Sequence, residues 1–403
     1  MHILFITDNF PPETNAPANR TFEHAKRWVC KNTKVTIITG VPNFPKGKIF
    51  KGYKNKIYQK EEIDGISVIR VWTFISSNEG FFLRTLDFMS FMVSSIVASI
   101  FVKRVDLVIG TSPQFFTVIA ARLVSLIKRK PWVFELRDLW PESIEAVGLL
   151  KKSLIYKLLE WIEIKLYKSA SLIISLTHSF KKNLIERGVS SEKIRVVTNG
   201  VNLNKFSNLQ KCQSLIKKLN IGNCFIFGYI GTHGIAHNLE TILYAAKETK
   251  NKNIKFLFIG DGAKKRDLMK EAKMLNLSNV LFIDSVSRDE IQKYWSIIDV
   301  SIIHLKKNKT FESVIPSKIF ESMAMGIPVL HGVPGESSKI VMENSTGEVF
   351  ESENVTDLVE KIKLISSEYK KFQTFQANSI KASKNYDRQV LADKMLDILK
   401  EIS

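Results

Sequence analysis

The chain shows the same pattern twice: a short apolar run, a polar or glycine-containing turn, and then a segment with helical spacing. The first copy has apolar runs at residues 2–7 and 35–39, with helical spacing at residues 18–30 between them. The pattern restarts at Phe225–Ile230, which Gly231 follows. A strand–helix–strand order builds parallel sheets, which bind ligands in the loops that follow their strands. We therefore expect an α/β protein with two such domains.

Length, composition and cysteine usage agree with this expectation. A chain of 403 residues with 45% hydrophobic content is long enough for two ordinary domains with complete cores. The three cysteines, Cys30, Cys212 and Cys224, lack metal-ligand spacing, and we expect reduced thiols. No basic segment precedes the first apolar run, so we expect no signal peptide and a cytoplasmic protein.

The formal net charge of +19 is unevenly distributed along the chain. Residues 1–200 contain 30 Lys and Arg against 17 Asp and Glu, which places most of the excess in the first half. Such an excess serves an anionic membrane, nucleic acid or polyphosphate ligands, or is a solvated surface. No basic patch with interleaved aromatic residues and no nucleic-acid-binding motif is visible, so we expect no nucleic acid partner and favour a membrane surface.

Residues 81–104 predict a long apolar helix. Their cleanest run, residues 88–102, lies between Asp87 and Lys103 and is shorter than the roughly 20 residues that span a bilayer. The segment is either a core helix or a helix that lies on a membrane. Arg84, Lys103 and Arg104 flank it, which is typical of an interfacial segment.

Residues 311–330 predict a loop that ends in a proline, a short helix that starts near Ser317, a glycine stop and a strand. With Ser317 as the N-cap, the first-turn amides and the Lys318 ammonium would favour an anion. Glu321 shares their face and could accept hydrogen bonds from two neighbouring sugar hydroxyls. The alternative is a capped surface helix with a Lys318–Glu321 ion pair.

The run from 316 to 329, with Gly335 and Glu336 after it, resembles the donor-site motif of the retaining glycosyltransferases of family 4. The resemblance implies the GT-B fold: two Rossmann-like domains that face a cleft, with a C-terminal helix that crosses back to the N-terminal domain. It implies an acceptor-side domain at 1–202 and 386–403 and a nucleotide-sugar-binding domain at 203–385. Glu321 would hold the nucleotide ribose.

The resemblance also implies a second acid, at position 313, that contacts the transferred sugar. Ser313 stands there, with Glu312 one residue earlier, and either Glu312 or a backbone group would substitute.

In the turn after 225–230, glycines let backbone amides approach a phosphate. Thr232 and His237 stand where the family commonly has an arginine and a lysine. Neutralisation of the diphosphate would then depend on Lys318 and on protonated histidines, although each histidine is alternatively structural.

The base would bind near Val286, through backbone groups. The donor site implied in this way comprises Pro316, Ser317, Glu321, Gly231, Thr232, His233, Gly234, His237 and Val286.

In the first half, residues 10–20 resemble the acceptor-side loop of the family, and Asn15, Ala16 and Arg20 are its candidates. Arg20 would either reach a phosphate or be solvated. Arg137 and Asp138 follow a strand where many members have a histidine and an aspartate. Asp138 would accept a hydrogen bond from a sugar hydroxyl, whereas Arg137 would support the diphosphate or pair with a neighbouring acid. The candidate catalytic residues are Lys318, Asp138, Arg137 and Glu312.

The resemblance therefore implies a retaining transfer from a UDP-sugar to a lipid-linked saccharide acceptor in bacterial surface polysaccharide synthesis. Within the family, the chain resembles the L-fucosamine transferases of O-antigen or capsule assembly, which suggests N-acetyl-L-fucosamine as the sugar. We expect a peripheral protein on the inner face of the cell membrane, without cofactor or metal. A UDP-sugar 2-epimerase of similar architecture and a noncatalytic nucleotide-binding protein are the alternatives.

Overall fold

The computed structural model describes residues 1–44, 47–75, 81–142, 153–207, 209–287 and 290–403. The chain divides into two compact units, Met1–Asn199 with Arg388–Ser403 and Gly200–Asp387. The boundaries expected from the sequence, after 202 and before 386, lie a few residues away from these.

The N-terminal unit is built on one sheet, which has eight strands within the described residues. Its order is β3-β4-β2-β1-β5-β6-β7-β8, and every neighbouring pair is parallel except β3 with β4. The strands are β1 His2–Ile6, β2 Lys34–Gly40, β3 Tyr58–Ile63, β4 Ile66–Val71, β5 Leu107–Thr111, β6 Trp132–Leu136, β7 Leu172–Ser175 and β8 Ile194–Val196. Its helices are α1 Ala16–Cys30, α2 Phe81–Ile100, α3 Phe115–Lys128, α4 Leu154–Ser169 and α5 His178–Glu186, in addition to the last helix of the chain.

The hairpin of β3 and β4 is absent from the sequence-based prediction. Its turn is Asp64-Gly65, and both residues have positive φ, 50° and 78°. An Asp-Gly pair between two extended segments is a recognised hairpin signal, because a tight turn of this type needs positive φ at both positions. A side chain at Gly65 would also meet Val29, since an added Cβ would lie 2.9 Å from Val29 Cγ1.

The C-terminal unit has a parallel sheet of six described strands in the order β11-β10-β9-β12-β13-β14. The strands are β9 Phe225–Ile230, β10 Ile254–Ile259, β11 Val280–Ile283, β12 Val300–His304, β13 Val329–Gly332 and β14 Gly347–Val349. The helices are α6 Gln213–Lys218, α7 Glu240–Glu248, α8 Lys265–Met274, α9 Ile291–Trp295, α10 Lys309–Glu312, α11 Lys318–Ala324, α12 Glu336–Glu343, α13 Val355–Ser367 and α14 Tyr369–Ser383. The chain enters and leaves this unit side by side, since Val201 pairs with Asp387 in an isolated β-bridge.

The last helix, α15 Arg388–Lys400, belongs to the N-terminal unit, which confirms the predicted helix that crosses back. It packs against α1, and the Trp28 indole donates to the Ala392 carbonyl at 2.8 Å. Arg27 binds the Asp393 carboxylate with two hydrogen bonds of 2.8 and 2.7 Å. Met395 is fully buried in the same core cluster. Each unit has a mainly parallel sheet whose strands are connected by helices. This confirms the predicted fold class.

Helix α2 is not a core helix. Its segment Leu83–Ile100 is long and apolar enough to cross a membrane by length and composition, and only 22% of it is buried. The expectation that the apolar run is too short to span was therefore wrong on length. The helix nevertheless packs against α3, β2 and β4 along one side, which makes it a surface helix of the domain.

We predict that Met395→Ala destabilises the N-terminal unit by about 2–5 kcal/mol, because it leaves a cavity where α15 meets the core. Val390 lies on the same helix and is exposed, so Val390→Ala should change the free energy of unfolding by less than about 0.5 kcal/mol. Urea unfolding followed by tryptophan fluorescence measures both variants, since five of the six tryptophans lie in this unit. Equal stabilities of the two variants would contradict the placement of α15.

Candidate functional site

Lys318 is the first residue of α11, and its ammonium lies against an aromatic ring of the neighbouring sheet. Ile319, Phe320 and Met323 anchor the helix, because all three are fully buried in one apolar cluster. The Lys318 Nζ donates to the Tyr229 hydroxyl at 2.8 Å and lies 4.1 Å from the centre of the tyrosine ring. The structure thus gives the lysine a neutral hydroxyl and a π face as its immediate partners.

The turn after β9 is shaped to accept this lysine. Gly231 has φ 143°, and an added Cβ would lie 2.3 Å from Lys318 Cε and 2.5 Å from Nζ. At the end of the next strand, an added Cβ on Gly260 would lie 2.0 Å from the Gly231 carbonyl oxygen. Both glycines are therefore required by close approach and by backbone conformation. They let the lysine and the ends of two strands meet at one point.

Tyr229 connects the lysine to the turn, and the sequence-based site lacked it. Its hydroxyl donates to the Thr232 carbonyl at 2.7 Å while it accepts from Lys318. Burial raises the pKa of this phenol, so it stays protonated and keeps donating. A tyrosine two residues before a glycine turn does not form a recognised motif. The one sequence signal for Tyr229 is its position near the end of a buried strand.

The pKa of Lys318 is about 7. Burial lowers it from the ordinary value, and the Glu321 carboxylate opposes that shift. A lysine of this kind is charged in only part of the molecules near neutral pH. An anion that binds beside it would raise its pKa and stabilise the charged form.

The two histidines of this region do not supply positive charge. His233 is buried, and burial together with the charges of Lys265 and Lys318 lowers its pKa to about 4. Burial and Lys318 lower the pKa of His237 to about 3. Both lowered pKa values favour neutral rings near neutral pH, and thus the alternative in which each histidine is structural.

Several of the predicted donor residues occupy the same turn. Gly234 precedes a short 3-10 helix that ends at His237, and Thr232 is exposed beside the buried His233. His233 is held at its backbone, where its N–H donates to the Asp261 carbonyl at 2.9 Å. The His233 ring has neither nitrogen hydrogen-bonded to the described residues.

Ser317 does not cap α11 as expected. It has helical backbone angles, and its side chain makes no capping hydrogen bond. The amides of Ile319 and Phe320 donate to the carbonyls of Pro316 and Ser317, at 3.1 Å each. Two of the first-turn amides that the sequence suggested for an anion are therefore used within the turn.

Glu321 follows one turn into α11 and is partly exposed, on the face that the sequence predicted. Glu312 is exposed and is the last residue of α10, while Ser313 donates from its hydroxyl to the Thr310 carbonyl at 2.8 Å. The Glu312 backbone contacts Gly335, where an added Cβ would lie 2.1 Å from the Glu312 carbonyl oxygen. Gly335 has φ 90°, so the loop before α11 and the start of α12 meet through a glycine.

The loops after β10 and β11 are tied together by Lys265. Its Nζ donates to the Gly260 carbonyl at 2.8 Å, to the Ile283 carbonyl at 3.3 Å and to the Asp284 carboxylate at 2.6 Å. Val286 lies two residues beyond Asp284 and packs, partly buried, on an apolar cluster. The backbone near Val286, proposed to contact the base, is thus attached to the same strand ends that surround Gly231.

In the N-terminal unit, Asn15 and Ala16 are not free loop residues. Asn15 is the N-cap of α1, because its side-chain oxygen accepts from the Ala18 amide at 2.9 Å. Its amide group donates to the Asn9 side chain at 2.7 Å. Ala16 is the first residue of the helix. The predicted acceptor-side loop therefore ends at Asn15.

Arg20 does not lie in solvent, so that alternative was wrong, and its side-chain donors are engaged within the protein. Its side chain is fully buried and its Nε donates to Glu135 at 2.9 Å. Its other two nitrogens donate to the carbonyls of Thr198 and Val197, at 2.7 and 3.0 Å. Although burial would raise the pKa of Glu135, the charges of Arg20 and Arg137 hold it below its usual range.

Arg137 and Asp138 follow β6 and are partly buried. The Arg137 side chain donates to the Pro17 carbonyl at 3.2 Å, which links it to the start of α1. Burial lowers the pKa of Arg137 to about 10, against the attraction of Glu135. The Ser112 hydroxyl accepts from the backbone amides of Arg137 at 2.8 Å and Asp138 at 3.4 Å. These contacts fix the backbone from which the Asp138 carboxylate projects.

Within the described part of the chain, no group of three or more His, Cys, Asp or Glu side chains is placed to hold a metal ion. Among the candidate residues named for the C-terminal unit, all of which the structure describes, Lys318 is the one with an ammonium group.

Both halves of the chain match families of known proteins. Residues 211–382 match the family described as Glycosyl transferases group 1, and residues 17–205 match Glycosyltransferase Family 4. WcaI of Escherichia coli (strain K12), named as a colanic acid biosynthesis glycosyl transferase, is 24% identical over 81% of this chain and 82% of its own. WbjE of Pseudomonas aeruginosa, named as a glycosyltransferase, is 26% identical over 61% of this chain and 62% of its own.

The fold is also found among solved structures. Anabaena HepE, crystallised with UDP-glucose, superposes with a TM-score of 0.75 at 16% sequence identity. The superposition covers 100% of both chains. At this identity the likeness concerns the fold.

We predict that Lys318 of the folded protein reacts with acetic anhydride with a pH midpoint near 7, because burial lowers its pKa. Trace labelling across pH, followed by peptide mass spectrometry, measures the midpoint. The chain denatured in urea is the internal control, and its midpoint should return to about 10.4. The same midpoint in both states would contradict the environment described for this lysine.

Proposed function

The chain is a glycosyltransferase of the GT-B fold, and from this premise we propose that it transfers a sugar from a UDP-sugar to a lipid-linked saccharide acceptor with retention of configuration. We assign it to the assembly of a bacterial surface polysaccharide. The matched families and the polysaccharide-synthesis name of WcaI support the class of reaction. The UDP-glucose complex of HepE supports a nucleotide sugar as the donor.

The observation that carries this proposal is the contact of Lys318 with Tyr229 and Gly231. An ammonium whose pKa is lowered to about 7, beside two strand ends that only glycine permits, suits an incoming diphosphate. Backbone amides at such a glycine turn can approach phosphate oxygens closely. The binding of the diphosphate would raise the pKa of Lys318 and complete its charge.

In the transfer we propose, the bond between the sugar and the diphosphate breaks while the acceptor oxygen attacks from the same face. The departing phosphate oxygen takes the acceptor proton, so no protein base is required. The contribution of the protein is to stabilise the negative charge that grows on the leaving group, which is usually a large part of catalysis. We assign this role to Lys318 and to the backbone of the turn at 231–234.

We assign the remaining donor and sugar contacts from the resemblance to the donor-site motif of the family. Glu321 would accept hydrogen bonds from the two ribose hydroxyls, and the backbone near Val286 would contact the base. Asp138 would bind a hydroxyl of the transferred sugar, on a backbone segment that Ser112 holds in place. Glu312 or the backbone beside it would take the sugar contact that Ser313 is too short to make.

Two finer assignments complete the proposal. The similarity to L-fucosamine transferases favours N-acetyl-L-fucosamine as the transferred sugar. The exposed apolar side of α2 and the basic N-terminal half favour a position on the cytoplasmic face of the cell membrane, where a lipid-linked acceptor is held. The matched families favour sugar transfer over the two other functions considered, UDP-sugar 2-epimerisation and noncatalytic nucleotide binding.

We expect the purified protein, incubated with a panel of UDP-sugars that includes UDP-N-acetyl-L-fucosamine, to release UDP only when membrane extract is added. Chromatography of the products distinguishes the candidate functions. Isomerisation of the sugar without release of UDP would indicate an epimerase, and binding without turnover would indicate a noncatalytic protein. Either result would overturn the proposal.

We expect Lys318→Ala to lower kcat by about 100-fold or more, because it removes the cation beside the leaving group. The matched control is Lys363→Ala, which removes an exposed lysine of α13 in the same unit and should leave kcat unchanged. Thermal unfolding of both variants verifies that the fold is retained. A folded Lys318→Ala variant with wild-type kcat would refute the role of this lysine.

A further inference from the structure

Helices α2, α3 and α4 form one layer on the N-terminal sheet, and α3 contacts both of the others. Each of them has a buried side and, opposite to it, exposed large apolar side chains. On α2 these include Val93, Val97 and Ile100, and Val93 is 55% exposed. On α3 they include Leu126 and Ile127. Apolar side chains therefore emerge from the solvent side of this layer as well as from its core side.

Helix α4 shows the pattern most clearly. Leu154, Ile155, Leu158 and Trp161 follow a helical spacing along one stripe, and Leu154 is 85% and Trp161 59% exposed. The opposite side of the helix is buried in the domain through Tyr156, Leu166 and Tyr167. The exposed stripe is thus additional to the side that anchors the helix.

The other helix layer of the same sheet provides a comparison. It is formed by α1 and α15, which the structure describes completely, and Val390 is their one large apolar side chain that is strongly exposed. Both layers belong to the same unit, so the difference is not a general property of this surface. A concentration of exposed apolar side chains on one layer marks a candidate interaction site.

The charge of the layer indicates the kind of partner. Residues 115–130, which comprise α3 and the turn after it, contain Arg122, Lys128, Arg129 and Lys130 and no acidic residue. Such a combination of apolar side chains and basic residues favours an anionic lipid surface.

Both acids of α4 lie near Arg187, and the side chain of Glu160 is 42% exposed. Glu163 is buried and binds Arg187 at 2.8 Å, and Glu160 lies 3.7 Å from the same arginine. Lys165 is exposed, and its ammonium lies 5.6 Å from the centre of the Trp161 ring. A tryptophan beside a lysine suits the boundary between acyl chains and headgroups.

The position of the exposed stripe of α4 agrees with this partner. Helices that connect parallel strands begin at the edge of the sheet where the preceding strand ends. The exposed stripe of α4 occupies its first two turns, and it therefore lies towards the edge at which Asp138 follows β6. A bilayer at this face would bring a lipid-held acceptor towards the loops at that edge.

We propose that the exposed face of α2, α3 and α4 docks on an anionic bilayer, with Trp161 and Lys165 of α4 at the level of the headgroups. The inference deepens the proposed function, because it gives the surface on which a lipid-linked acceptor is met. The binding to lipid is itself independent of the transfer reaction. A second copy of the chain is a less suitable occupant, since its own basic residues would be brought against those of the first.

The test is co-sedimentation of the full-length protein with vesicles of phosphatidylcholine alone or mixed with phosphatidylglycerol. We expect binding that requires phosphatidylglycerol and weakens as salt is raised, because screening reduces the attraction. The double variant Leu158→Ser, Trp161→Ser should lose binding at least tenfold. Val390→Ser removes an exposed apolar residue of the other layer and should bind like the wild type.

A second variant separates charge from apolar contact. Lys157→Glu, Lys165→Glu retains the stripe of α4 and should also reduce binding to the anionic vesicles. All four substituted residues are exposed, so thermal unfolding should resemble that of the wild type. Unchanged vesicle binding in both double variants, or equal binding to both kinds of vesicle, would overturn the inference.

Two further results would also overturn it. Loss of self-association in the Leu158→Ser, Trp161→Ser variant, measured by ultracentrifugation without vesicles, would identify the face as an interface between copies. Resistance of the membrane-bound protein to extraction at alkaline pH would indicate that α2 spans the bilayer. The affinity for UDP, measured by calorimetry, reports on the proposed function separately and should be the same in wild type and variants.

Discussion

The candidate site of the C-terminal unit depends on an ammonium, that of Lys318, which is partly removed from water and whose hydrogen bond goes to a neutral phenol. Taking a charge out of water is costly unless an opposite charge compensates for it, and here the cost appears as the lowered pKa of Lys318. Gly231 and Gly260 permit this arrangement, because any side chain at either position would occupy the space of the lysine or of the neighbouring backbone. In the function we propose, the diphosphate of the substrate would supply a further opposite charge, so its binding would also favour the charged form of Lys318.

The N-terminal half shows the opposite arrangement for one of its buried cations, Arg20. Arg20 is fully buried, yet its donors are satisfied by Glu135 and by two backbone carbonyls. A cation paired in this way holds strands and helices together and has little to offer a ligand. The difference between Arg20 and Lys318 is therefore a difference between a structural and a receptive positive charge. The residue types, arginine and lysine, would not by themselves show which of the two charges is structural.

The buried parallel strands could be predicted from the sequence, because strands covered on both faces are nearly continuous apolar runs. Phe225–Ile230 has the predicted bounds for this reason. Strand β3 was not predicted, because its residues alternate between exposed and partly buried positions and form no apolar run. The hydrogen-bond partners of Arg20 were not predicted either, because Glu135 and Thr198 lie 115 and 178 positions away in the chain. Local spacing found the motif around Lys318, whereas Tyr229, 89 positions distant, required the fold.

The side-by-side passage of the chain at Val201 and Asp387 makes the second unit an insert within the first. The segment from Gly200 to Asp387 begins and ends at one place, and helix α15 then completes the first unit. An arrangement with neighbouring ends allows a whole module to be exchanged by recombination without disturbing the host core. Under the function we propose, descendants of such a chain would acquire a new activated sugar by replacing the insert, while they retain the surface and loops of the host.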